Sequence, residues 1–127
     1  MTVGVLCIQG AFIEHVRMLQ KISDSMARRG SFKLKVIDVR KPDQLSGLDG
    51  LIVPGGESTT LSIFLKKNNF EEALKSWAFD EKRPGVVWGT CAGLILLSDR
   101  VTGQKQGGQA TVSVLCLYCC AVAVLLG

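Results

Sequence analysis

The sequence predicts an α/β fold with a doubly wound, mostly parallel sheet, and two of its patterns predict this class. Short apolar runs alternate, along the first 100 residues, with stretches in which apolar residues recur at helical spacing. Strands that alternate with helices form βαβ units, whose parallel sheet is covered on both faces. The first run, residues 3–8, is apolar throughout, as expected for a strand buried on both faces.

Each element is predicted from apolar spacing and from the residues that interrupt regular structure. Phe12, Val16 and Leu19 recur at helical spacing with charges between them, and Gly30 ends that helix. Pro54 closes the third strand. The predicted strands are residues 3–8, 34–39, 51–53 and 86–88, and the predicted helices are residues 11–28, 58 or 59 to 67, 71–77 and 94–97.

Length and charge exclude several classes of protein. A chain of 127 residues corresponds to one domain, whose regular part is residues 1–109 and whose atypical, uncharged apolar tail is residues 110–127. The net charge of +4 is modest and comes without interleaved basic and aromatic residues, so nucleic-acid binding is not expected. The apolar run at 112–126 is shorter than the roughly 18–20 residues of a membrane-spanning helix, which disfavours a membrane anchor.

The cysteines indicate a reducing compartment. There are five of them, an odd number, and no secretory signal precedes them, so we expect free thiols and a cytoplasmic location. Cys116, Cys119 and Cys120 cluster in the tail, but no histidine or second pair of cysteines joins them. We therefore expect neither a metal site nor a cofactor.

The pattern Gly-Thr-Cys-Ala-Gly at residues 89–93 is the strongest chemical signal. It matches the nucleophile elbow, a sharp strand-to-helix turn that exposes a nucleophile above a sheet. Cys91 is then the nucleophile, and the amide of Ala92 points towards the oxyanion that develops on attack. The alternative is a buried structural cysteine in an ordinary turn, which the flanking strand and helix disfavour.

A second signal is the diglycine loop, residues 54–60, which follows the third strand. The amides of Gly55 and Gly56 can serve as anion or oxyanion donors. Glu57 can receive an ammonium group, and Ser58 or Thr59 can cap the next helix. Alternatives are a simple helix start or a phosphate site, although the lysine of a phosphate-binding loop is missing.

Two polar residues near the first strand complete the candidates. Gln9 ends that strand, and its side-chain amide can orient a neighbouring loop, or be a simple turn residue. His15 lies inside the first helix, where we expect it to be solvated or partly packed rather than to act as the base for Cys91.

These strings together resemble one family. Gln9-Gly10, Glu14-His15, the Pro-Gly-Gly-Glu-Ser-Thr-Thr run at 54–60 and the Gly-Thr-Cys-Ala-Gly-Leu run at 89–94 are similar to the glutaminase subunit of pyridoxal 5′-phosphate synthase, a class I, triad-type glutamine amidotransferase. The similarity covers roughly residues 3–109.

The resemblance implies a flavodoxin-like fold and hydrolysis of L-glutamine to glutamate and ammonia, which passes to a synthase (lyase) subunit that makes the vitamin B6 cofactor. It implies that Cys91 attacks the carboxamide and that the amides of Gly56 and Ala92 form the oxyanion hole. The substrate-binding residues it implies are Gly55, Gly56, Glu57, Ser58 and Gln9.

The sequence also departs from the family pattern. Family members continue past residue 109 with the histidine and glutamate of the triad, whereas His15 is the single histidine here. We therefore expect an incomplete C-terminal half of the fold and an inactive chain. Alternatives are a truncated isoform that only binds the synthase subunit, or a different α/β protein with a cysteine elbow.

Overall fold

The computed structural model describes residues 1–102, 111 and 115–120, with segments 99–102 and 115–120 described by their backbone alone. Eleven elements follow one another along these residues. In chain order they are β1 (Thr2–Leu6), α1 (Phe12–Arg28), β2 (Lys35–Val39), a 3₁₀ turn (Pro42–Leu45), β3 (Gly50–Val53), α2 (Ser58–Lys67), α3 (Phe70–Ala78), β4 (Val86–Gly89), α4 (Ala92–Leu97), β5 (Ser98–Thr102) and β6 (Leu115–Cys120).

The first four strands form one parallel sheet in the order β2-β1-β3-β4. The next strand along the chain, β2, pairs with one side of β1, and the strand after it, β3, pairs with the other side. The strand order therefore reverses beside β1. This is the arrangement of a doubly wound sheet, in which ligands bind at the carboxyl ends of the strands beside that reversal. The α/β fold class predicted from the sequence is confirmed.

The hydrophobic core lies on one face of this sheet. Leu6, Leu51 and Val53 project from it and are at most 1% exposed. The 3₁₀ turn, α2, α3 and α4 complete the core with fully or nearly fully buried side chains, the largest of which is Phe70. Helix α1 lies against β1 and β2 on the other face and has no fully buried residue.

The predicted boundaries of the first eight regular elements agree with the structure to within about two residues. The chain leaves α1 through Gly30, which has a φ of 64°, and leaves α2 at Asn68, as the sequence predicts. The 3₁₀ turn and the parallel pair β5-β6 are not predicted from the sequence, and β6 falls within the tail. Among the helices of residues 1–102, none combines the length and apolar character that a bilayer crossing requires.

Candidate active site

A sharp turn between β4 and α4 holds Cys91 at its apex. Cys91 has φ 51° and ψ −118°, a positive-φ conformation that is uncommon for residues other than glycine. Such strain persists only where the surrounding structure enforces it. Gly89 is required beside it, because a methyl group there would lie 2.7 Å from the backbone of Gly93. This geometry is that of the nucleophile elbow predicted from the sequence.

The sulfur of Cys91 faces the diglycine loop. A methyl group placed on Gly55 would lie 3.0 Å from the Cβ of Cys91 and 3.8 Å from its Sγ. Cys91 is exposed and forms no disulfide. The thiol is therefore open to a small molecule from solvent, and glycine at position 55 leaves the space beside it.

The loop after β1 fixes the backbone of the diglycine loop. The Nε2 amide of Gln9 donates to the carbonyl oxygen of Glu57 at 3.1 Å, and the Glu57 amide donates to Oε1 of Gln9 at 3.2 Å. The Ala11 amide donates to the carbonyl oxygen of Gly55 at 3.1 Å. The predicted interaction of Gln9 with a neighbouring loop is thus confirmed as a two-way pairing with the backbone N–H and C=O of one residue, Glu57.

Thr90, which precedes the nucleophile, joins the elbow to the end of β3, to the diglycine loop and to α1. Its amide donates to the carbonyl oxygen of Val53 at 3.1 Å, and its Oγ1 accepts from the Gly55 amide at 3.2 Å. On its other side, Oγ1 lies 3.5 Å from Nε2 of His15. The ring of His15 meets the ring of Trp88 edge-on, with 5.7 Å between centroids. His15 is half-buried, as predicted.

Two backbone amides, one in the diglycine loop and one directly after the nucleophile, have no acceptor among the hydrogen bonds of residues 1–102: those of Gly56 and Ala92. Ala92 is the first residue of α4, and the first amides of a helix lack an intrahelical acceptor. These are the two amides that the sequence predicts as oxyanion donors.

Glu57 caps helix α2, which corrects one expectation. Its carboxylate accepts from the Thr59 amide at 3.0 Å and from the Thr60 amide and hydroxyl at 2.7 and 2.6 Å. Neither Ser58 nor Thr59 is the cap, because the helix begins at Ser58, one residue earlier than a Ser58 cap and two residues earlier than a Thr59 cap would need. The Thr60 hydroxyl and the two amides lower the pKa of Glu57 to about 2. The carboxylate is exposed and anionic at neutral pH.

The structure brings the predicted site residues to one edge of the sheet. Loops after β1, β3 and β4 meet there because the carboxyl ends of parallel strands share an edge. Among the described side chains, no three of His, Cys, Asp or Glu cluster as metal ligands would. The side chains of the tail cysteines 116, 119 and 120 lie outside the described part. The sequence does not predict the contact between Thr90 and His15, since helical spacing alone does not relate residue 15 to residue 90.

Fold and site together define an α/β protein with a cysteine nucleophile elbow beside a diglycine loop. Residues 5–118 match the model of the SNO glutamine amidotransferase family. The chain belongs to this family.

Named relatives and a solved structure agree with that membership. The chain is 44% identical over 112 residues to "Probable pyridoxal 5′-phosphate synthase subunit PDX2" of Arabidopsis thaliana, covering 88% of this chain and 39% of the relative. It is 44% identical over 115 residues to the PdxT subunit of Chloroflexus aurantiacus, covering 91% and 54%. A crystal structure of a glutamine amidotransferase superposes with a TM-score of 0.64 at 35% identity, covering 91% of this chain and 54% of that one.

The chain spans about half the length of the curated relatives it matches, and less of the plant one. The matched region contains the cysteine elbow and the diglycine loop. It ends at residue 118, within the predicted tail, so the domain boundary at residue 109 stays a prediction.

Proposed function

We propose that this chain carries the nucleophile and the substrate cradle of a glutaminase subunit of pyridoxal 5′-phosphate synthase, acting on L-glutamine. The observation that carries the proposal is the exposed Cys91 thiol, held in a strained elbow against the diglycine loop. Membership of a glutamine amidotransferase family and relatives named as subunits of that synthase support the substrate and the partner.

In the proposed reaction, Sγ of Cys91 attacks the carboxamide carbon of glutamine. The carbonyl oxygen becomes an oxyanion that accepts from the amides of Gly56 and Ala92. When the tetrahedral intermediate collapses, the C–N bond breaks, the nitrogen takes up the proton that the Cys91 thiol lost and leaves as ammonia, and a thioester remains on sulfur. Water then adds to the thioester carbon and releases glutamate and the thiol.

The substrate's amino-acid end would lie along the diglycine loop. Gly55 and Gly56 leave room for it, and Ser58 stands at the first turn of α2. The carboxylate of Glu57 remains charged above about pH 2 and carries the one negative charge proposed to face the substrate ammonium. Gln9 would act by holding the Glu57 peptide in place.

Proton transfer limits what these 127 residues do by themselves. A nucleophile and its base act as a unit, and removing the base typically costs several orders of magnitude in rate. The one histidine of the sequence, His15, contacts the residue before Cys91 and sits on α1. We expect the 127-residue chain to bind glutamine and to release ammonia far more slowly than family members do.

Glutamine protection of Cys91 tests the binding part of this proposal. The chain is treated with iodoacetamide with and without L-glutamine, and mass spectrometry of the Cys91 peptide gives the alkylation rate. We expect glutamine to slow alkylation saturably, whereas D-glutamine and L-leucine do not. The proposal fails if L-glutamine leaves the rate unchanged at millimolar concentration.

Ammonia release tests the catalytic part. The chain is assayed with L-glutamine, with and without the synthase subunit, beside its Cys91→Ser variant. We expect release by the wild-type chain to be close to that of the variant. Turnover at rates comparable to a full-length relative would overturn the expected inactivity while leaving the substrate proposal in place.

A second candidate function is a non-catalytic subunit that only binds the synthase. The presence of a single histidine in the sequence favours it. Copurification of the chain with the synthase subunit, unchanged in the Cys91→Ser variant, would support it. We place the chain in the cytoplasm, which is supported by Cys7 and Cys91 being free thiols in the described part of the chain.

A further inference from the structure

The elbow, the diglycine loop and helix α1 meet at one hydroxyl group, that of Thr90. The amide of Gly55 donates to its Oγ1 from the diglycine loop. His15 of α1 approaches the same oxygen with Nε2 from the other side. Thr90 itself directly precedes the strained Cys91. Any rotation of this side chain would loosen the diglycine loop from the elbow.

The Thr90 hydroxyl can make both contacts at the same time. A threonine hydroxyl has one proton to donate and two lone pairs that accept. Since the Gly55 amide uses one lone pair, the hydroxyl can still pair with Nε2 of His15, either by donating its proton or by accepting with its second lone pair, according to the tautomer of the histidine. The edge-on contact with Trp88 keeps the histidine ring in place.

We infer that His15 is a positioning residue for the nucleophile: it fixes the Thr90 hydroxyl, which sets the distance between the diglycine loop and the Cys91 thiol. The inference rests on the proposed role of Cys91 and extends it to α1, on the other face of the sheet from the core. His15 touches neither the thiol nor the proposed oxyanion donors in any described hydrogen bond. It acts through Thr90.

The test compares two replacements of His15 in the full 127-residue chain. His15→Phe keeps an aromatic ring against Trp88 but removes the nitrogen, whereas His15→Gln keeps a polar atom that can meet Thr90. Thr90→Val and Thr90→Ser form the matching pair on the other side. Glu14→Gln, which changes an exposed neighbour on the same helix, is the control.

Two quantities are measured for each variant: the iodoacetamide rate at Cys91 and the glutamine concentration that halves it. We expect His15→Phe and Thr90→Val each to weaken glutamine protection about three- to tenfold, the range that one hydrogen bond supplies. His15→Gln, Thr90→Ser and Glu14→Gln should stay near wild type. The double variant His15→Phe/Thr90→Val should be no weaker than Thr90→Val alone, because both remove the same interaction.

The outcomes separate this inference from the proposed function. If glutamine protects all variants equally, the role of His15 is overturned while glutamine binding stands. If His15→Gln is as weak as His15→Phe, the ring fills space and the positioning role is also overturned. If glutamine protects no variant, the proposed substrate fails, and the iodoacetamide rates at Cys91 alone decide the role of His15. A rate that changes in His15→Phe and returns to the wild-type value in His15→Gln supports the inference. Equal rates in wild type and His15→Phe contradict it.

Discussion

Gly10 lies where the loop after β1 comes closest to the diglycine loop. Its φ is 80°, and a methyl group there would collide with the carbonyl oxygen of Gly55. Gly30 has a similar φ of 64°, but nothing lies within 4 Å of its position for a methyl group. The two glycines therefore separate the effect of backbone conformation from the effect of close approach.

We predict that Gly10→Ala destabilises the chain by about 2 kcal/mol more than Gly30→Ala. Both variants carry the conformational cost of a left-handed alanine, about 1–2 kcal/mol. Gly10→Ala must also displace the Gly55 carbonyl, at the cost typical of overpacking. Urea denaturation measures both. If Gly10→Ala and Gly30→Ala lose the same free energy of unfolding, the loop after β1 and the diglycine loop can move apart without cost.

The contribution of the Glu57 cap to the stability of the folded chain depends on pH. Its folded pKa of about 2 is below the ordinary value of 4.5, so its charge stabilises the folded chain above pH 4.5. That contribution is lost as the pH falls from 4.5 through about 2. We predict that Glu57→Gln is less stable than wild type at pH 6 and that the two converge towards pH 2. Thermal unfolding across this range measures the difference, and a constant difference would contradict the assigned cause.

Helix α2 connects the site to the core through its two faces. Its first turn is capped by Glu57 at the site, whereas Leu61 and Leu65 are buried in the hydrophobic core. Ile63 lies on the opposite face and is 58% exposed. An apolar stripe of this kind fixes how a helix is rotated against the core, and so fixes where its N-terminus points.

We predict that Leu65→Ala costs about 2–5 kcal/mol of unfolding free energy, since it leaves a cavity in the core. Ile63→Ala, on the same helix, should change stability by less than about 0.5 kcal/mol. Chemical denaturation of both variants makes the comparison. Similar losses for the two would mean that Ile63 is covered in solution.

Local sequence determines some of these elements and leaves others open. The elbow is predictable because glycines at 89 and 93 and a cysteine between them stand between an apolar strand and an apolar helix. The capping of α2 by Glu57 is harder to predict, because serine and threonine are preferred caps and Ser58 and Thr59 directly follow Glu57 in the sequence. The contact between His15 and Thr90 depends on how α1 lies across the sheet, which no local pattern specifies.

At the scale of the whole molecule, the sheet places two thiols in opposite environments. Cys7 follows β1 at the centre of the sheet and is fully buried, whereas Cys91 is exposed at the sheet's edge. Burial raises the pKa of Cys7 to about 11, and the charge of Asp38 adds to the effect. A thiolate is the reactive form. The native fold therefore protects Cys7 in two ways: burial keeps reagents from the sulfur, and the raised pKa keeps the thiol protonated.

Because of this contrast, we predict that alkylation of Cys7 reports opening of the whole sheet. At pH 8, iodoacetamide should modify Cys91 in the native chain at a rate that changes little with urea below the unfolding transition. Modification of Cys7 should be much slower and should accelerate steeply with urea, since it requires an opened state. Peptide mapping distinguishes the two sites, and the Cys91→Ser variant controls for any effect of the first modification. Equal rates for Cys7 and Cys91 in native buffer would mean that the centre of the sheet is open to solvent.

The raised pKa of Cys7 also makes stability depend on pH. The free energy of unfolding should fall as the pH rises from 9 towards 11, because the unfolded chain ionises the Cys7 thiol first.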